Sequence, residues 1–138
     1  LSSGAAVAVE LTWQGELRFA GRSGAAQLAL DSDGQAGLSP MQALAFALAG
    51  CMAVDVVHIL RKGRLPLKEL TARLSGERAA GEPRRFTKVG LHFVVSGDVP
   101  GERVQRALDL SREKYCSVWH SLRPDIDFKT SFEVVRSA

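Results

Sequence analysis

The segment Pro40–Lys62 constrains this chain more than any other, because it reads as one long helix that is apolar on nearly every side. Its start is legible. Ser39 stands at the N-cap, Pro40 at the first helical position, and Gln42 completes a capping box with Ser39. Its end is equally so, with Arg61 and Lys62 near the negative pole, Gly63 at the left-handed cap position and Pro66 beyond. Such a helix is roughly 35 Å long at 1.5 Å per residue. Asp55 and His58 keep the apolar run below the ~20 residues a bilayer span requires, so the spacing predicts a buried central helix and no membrane partner. Ala43, Ala45, Ala47, Ala49, Gly50 and Ala53 let another backbone come close. One chain with two main helices has too little material to cover such a helix, so a homodimer is expected.

Strands surround this helix in the sequence. Val7, Val9, Leu11 and Trp13 alternate with polar or small residues, Gln14-Gly15 offers a tight turn, and Leu17 and Phe19 resume the alternation. Gln27 to Asp31 makes a third short strand that ends in Asp31-Ser32-Asp33-Gly34. After the helix come Leu70, Ala72 and Leu74, then Val89, Leu91, Phe93 and Val95, each set at a period of two and separated by the polar stretch Gly76 to Arg85. A second helix fits Glu102 to about Lys114, with Val104, Ala107, Leu108 and Ser111 on one face; Ser117 to Arg123 continues it after a break. Ile126, Phe128, Phe132 and Val134 complete a last strand. The order βββ-α-ββ-α-β reads as α+β, with antiparallel sheets around the buried helix. At 138 residues with neither linker nor repeat, a single domain over 1–138 is expected.

Several function classes are disfavoured by composition and motif. Two cysteines cannot make a disulfide scaffold or a four-thiolate zinc site, though they permit one redox pair. The three histidines are dispersed, so no metal site is expected, and no phosphate-binding loop, dinucleotide fingerprint or GxSxG elbow occurs, so no cofactor is expected. Arg61 to Lys88 carries nine basic residues against three acidic ones, yet Phe86 is its one stacking aromatic; the segment reads as a solvated rim rather than a nucleic-acid face. No basic start followed by an apolar run opens the chain, which points to the cytoplasm, and the missing initiator Met suggests a processed chain.

What chemistry remains rests on Cys51 and Cys116. Free cysteine is most often a small buried hydrophobe, and that is the plain reading of each. A helix beginning at Ser117 would favour a thiolate at Cys116. Asp55 and His58 share a helix face with Cys51: a protonated His58 would favour its thiolate and an ionised Asp55 would oppose it. Asp55 needs a buried partner, for which an arginine from a strand is the natural candidate. His120, four residues after Cys116, is a further candidate to lower that thiol, against the commoner structural role of a lone histidine.

Ser39-Pro40-Met41-Gln42, Leu48-Ala49-Gly50-Cys51-Met52-Ala53-Val54-Asp55-Val56-Val57, Ile59-Leu60-Arg61-Lys62-Gly63-Arg64 and Lys114-Tyr115-Cys116-Ser117-Val118 together resemble the OsmC/Ohr family. The resemblance implies an intertwined homodimer with two long helices between β-sheets and active sites at the subunit interface. It also implies a thiol-dependent peroxidase acting on organic hydroperoxides, with Cys51 peroxidatic, Cys116 resolving, and an external lipoyl-type dithiol as reductant. Leu48 and Met52 would help line an apolar pocket. Family members pair the reactive thiolate with an Arg from the N-terminal strands and a Glu directly after the helix's Pro. Here Met41 takes the place of that Glu and is followed by neutral Gln42, as in a Pro-Met subgroup, and the candidate arginines are Arg18 and Arg22. The alternative is an OsmC-like dimer without catalysis that binds a small apolar ligand at the interface cleft.

Overall fold

A computed structural model describes residues 6–136; Leu1–Gly4, read above for a targeting signal, lie outside them. The chain divides into two compact units, one up to Phe46 and one from Ala47 onward.

The N-terminal unit is an antiparallel meander of β1 (Glu10–Trp13), β2 (Arg18–Ser23) and β3 (Ala26–Asp31). Gly15 and Glu16, with φ of +98° and +50°, turn β1 into β2, and the Gln14 N–H donates to the Arg18 carbonyl at 2.9 Å. β1 begins at Glu10 rather than Val7, because its ladder opens with Glu10 against Arg22, next to the last residue of β2. After β3 the Asp31 carboxylate accepts the N–H groups of Asp33 and Ala36, each at 3.0 Å. Those two donors hold its carboxyl below the usual range. The helix α1 (Pro40–Lys62) opens with the expected capping box: the Ser39 N–H donates to Gln42 Oε1 at 2.9 Å, and the Gln42 N–H to Ser39 Oγ at 3.2 Å.

The C-terminal unit holds most of α1, β4 (Leu67–Arg78), β5 (Phe86–Gly97), α2 (Gly101–Leu110), a π-helical turn (Ser111–Tyr115), α3 (Ser117–His120) and β6 (Asp127–Val135). β4 and β5 are antiparallel. β6 instead runs parallel to β5, Lys88 facing Asp127 and Ser96 facing Val135, so the expectation of antiparallel sheets fails at this one pair. The reason lies in the connection: α2, the π-turn and α3 cross over one face and return the chain to the starting end of β5. The core joins Met52, Val56 and Leu60 of α1 to Leu91, Phe93 and Val95 of β5, Val104, Ala107 and Leu108 of α2, and Cys116. Each large side chain so enclosed contributes about 1.5–3 kcal/mol.

On α1, Leu48, Met52, Asp55, Val56 and Leu60 are buried, whereas Phe46 and Val54 are exposed in the single chain. The helix ends in a Schellman arrangement, Arg64 N–H to Arg61 O and Leu65 N–H to Leu60 O, with Arg64 and not Gly63 in the left-handed region at φ +58°. A Cβ at Gly63 would stand 2.5 Å from the Arg103 guanidinium, which lies against the helix end.

Candidate active site

Cys51 lies midway along α1 and is half-buried. Cys116 is fully buried and sits in the break between the π-turn and α3, in an extended conformation (φ −74°, ψ 98°). The break follows from the wide turn before it. The Cys116 N–H reaches back five residues to the Ser111 carbonyl at 2.7 Å, which takes up one residue more than an α-helical turn holds. Cys116 then caps α3, its Sγ accepting the Trp119 N–H at 3.3 Å while its carbonyl accepts the His120 N–H at 3.1 Å.

The fold brings the two cysteines into one cluster, Cys51 packing against the core that encloses Cys116. Burial pushes the Cys116 thiol up to about 12; the Trp119 N–H opposes this, and Cys51 and the Asp55 carboxylate add to it. The start of α3 therefore does supply a donor to this sulfur, as the sequence suggested, but desolvation outweighs it.

Asp55, one turn beyond Cys51, is buried, and Oδ2 accepts the Ser111 hydroxyl at 2.6 Å. Its partner is thus a hydroxyl from the π-turn rather than an arginine from a strand. Sequence reasoning placed Ser111 on the apolar face of the second helix without giving it a role. The available signal was a polar group on each of two apolar faces, since buried polar groups need partners.

The other candidates are exposed or have partners of their own. His58 is exposed, and His120 Nε2 is hydrogen-bonded to the Arg112 carbonyl at 2.9 Å. Gln42 uses its side-chain oxygen in the helix cap. Arg18 and Arg22 belong to the N-terminal unit, where Arg22 Nε lies 3.0 Å from Glu10 and Arg18 acts on Asp31. Leu48 and Met52 are 3% and 0% exposed, so they are core residues in the single chain and not the lining of an open pocket. Arg112 packs its guanidinium over Trp119 and Phe128, at 5.6 and 5.0 Å from the ring centroids, and donates to the Phe128 carbonyl at 2.6 Å. With the Trp119–Phe128 ring contact at 4.6 Å, this fastens the segment around Cys116 to β6. Among the described residues, no three His, Cys, Asp or Glu side chains are grouped to hold a metal ion.

A family model described as OsmC-like protein matches residues 32–131. Protein YhfA of Escherichia coli (strain K12) is 42% identical over 126 residues, spanning 89% of this chain and 94% of that protein. Among solved structures, a hypothetical protein from Aquifex aeolicus VF5 is 30% identical with a TM-score of 0.90, covering 97% of this chain and 99% of its own. The organic hydroperoxide resistance protein OhrB of Bacillus subtilis shares the fold at a TM-score of 0.63 and 20% identity, covering 94% and 98%.

Proposed function

The chain belongs to the OsmC-like family, and from that premise we propose that it is a thiol-dependent peroxidase reducing organic hydroperoxides, with Cys51 attacking and Cys116 resolving. One observation carries the reading: two cysteines from distant parts of the sequence belong to one core cluster, the half-buried Cys51 packing against the core that encloses Cys116. The less buried sulfur is the one a hydroperoxide can reach. In the first step the Cys51 thiolate attacks the distal peroxide oxygen, the O–O bond breaks, and the alkoxide leaves as an alcohol with a proton from solvent. Cys51 is then a sulfenic acid. In the second step the Cys116 sulfur attacks it, the S–S bond forms, and the hydroxyl departs as water with the Cys116 proton. An external dithiol of lipoyl type reopens the disulfide by exchange and is itself oxidised.

The reading extends to assembly and location. A second copy covers the exposed apolar side of α1 at Phe46 and Val54 and the exposed Leu11, Trp13 and Leu28 of the N-terminal sheet. Two free thiols suit a reducing cytoplasm. Adding one equivalent of cumene hydroperoxide to the reduced protein consumes both thiols and leaves a Cys51–Cys116 disulfide by mass spectrometry. The Cys51→Ser variant turns over no peroxide. If Cys51 stays reduced, or Cys51→Ser works as fast as wild type, the enzyme reading is wrong. A ligand-binding dimer, which Met41 in place of the family's acid favours, then takes its place.

A further inference from the structure

We propose that Ser111 is a positioning residue that clamps the second thiol to the first, through its hydroxyl on Asp55 and its carbonyl on Cys116. The inference rests on the two-thiol reading above and adds to it the part that sets the distance between the sulfurs. Four links close a ring. Cys51 and Asp55 are one turn apart on α1; Asp55 Oδ2 accepts the Ser111 hydroxyl at 2.6 Å; the Ser111 carbonyl accepts the Cys116 N–H at 2.7 Å; and Cys51 packs against the core cluster that includes Cys116. Ser111 is the one residue of that ring bonded to both α1 and the Cys116 backbone. It is itself 0% exposed, and Asp55 is 3% exposed, so water offers little substitute for either bond.

The placement of the π-turn fits this role. The turn begins at Ser111 and ends at Tyr115, so the residue that grips α1 is also the first of the turn whose last hydrogen bond fixes Cys116. A wide turn of this kind is tolerated where something outside the helix holds it, and here the buried carboxylate on α1 does so. Removing the hydroxyl leaves both cysteines in the sequence and the core apolar groups in place, while the tether between the two elements is cut. The second thiol then samples a larger volume and meets the first less often.

The test needs no hydroperoxide. Reduced protein is equilibrated with mixtures of reduced and oxidised dithiothreitol, and the fraction carrying the Cys51–Cys116 disulfide gives the effective concentration of one thiol at the other. For Ser111→Ala this falls about tenfold, the loss of one buried hydrogen bond to a carboxylate. Asp55→Asn lowers it in the same direction, and Ser111→Thr, which keeps the hydroxyl, restores most of it. Equal values for wild type and Ser111→Ala overturn the clamp, as does a Ser111→Thr value as low as that of Ser111→Ala, or a wild type that forms no such disulfide. If Ser111→Ala fails to fold, Asp55→Asn against wild type decides by the same criterion. Unreactive Cys51 toward cumene hydroperoxide would remove the peroxidase reading and leave this thiol–disulfide measurement standing, so the two failures are told apart.

Discussion

At Cys116 two opposing influences act on one sulfur. Enclosure raises its proton affinity, the Trp119 N–H lowers it, and enclosure wins, leaving the thiol at about 12. Iodoacetamide at pH 8 to 9 should therefore modify Cys51 and leave Cys116 untouched until the protein unfolds, as peptide mass spectrometry will show. The same shift has a sign in stability. A thiol whose folded value lies above its unfolded value favours folding fully below about pH 8.5, and that contribution is lost as pH climbs toward the folded value. Denaturant midpoints of the reduced protein should fall between pH 8.5 and 11, with a shallower slope for Cys116→Ser. Asp31 has the opposite sign. Its carboxyl is held low by the N–H groups of Asp33 and Ala36, so its contribution is present above about pH 4 and is lost in more acid solution. Amide exchange at Asp33 and Ala36 should accelerate below that pH before the sheet opens. Arg64 is a simpler case. A non-glycine residue at φ +58° bears about 1 kcal/mol of steric cost, so Arg64→Gly should raise the melting temperature by a few degrees.

Among the elements, those with local signals were legible and those defined by distant pairing were not. The capping box at Ser39 and Gln42 and the stop at Lys62 involve residues within a turn of one another, and so appear in the sequence as they stand in the fold. Strand alternation in β4, β5 and β6 revealed which residues face the core, because a period of two is the same whichever way a strand runs. It could not reveal that β6 pairs with β5 in parallel, a direction fixed by the crossover of α2. For the candidate site, both cysteines and Asp55 could be named, but their meeting with Ser111 depends on one extra residue in a turn, which no periodicity over so short a span discloses. That residue count is itself testable. Inserting an alanine after the exposed Glu113 would add a further residue to the turn and swing Cys116 by about 100° away from Cys51. The variant should keep its helical circular dichroism and yield no Cys51–Cys116 disulfide with diamide.

For the molecule as a whole, what the single chain leaves uncovered argues most strongly for assembly. Val54 is 60% exposed on an otherwise apolar helix, Phe46 66%, and Trp13 of the N-terminal sheet 66%. Surfaces of that kind are rare on a stable monomer and normal at an obligate interface. Light scattering on wild type should give twice the chain mass of 14.9 kDa, and Val54→Glu should give one chain or an aggregate. Cys116 rides on the same crossover that lays β6 beside β5, tied to that last strand by Arg112 and Trp119 at Phe128. A chain still emerging from the ribosome has made its first sulfur long before the strand that steadies the second. The surroundings of the second sulfur therefore settle only after β6 has been made, later in synthesis than either cysteine.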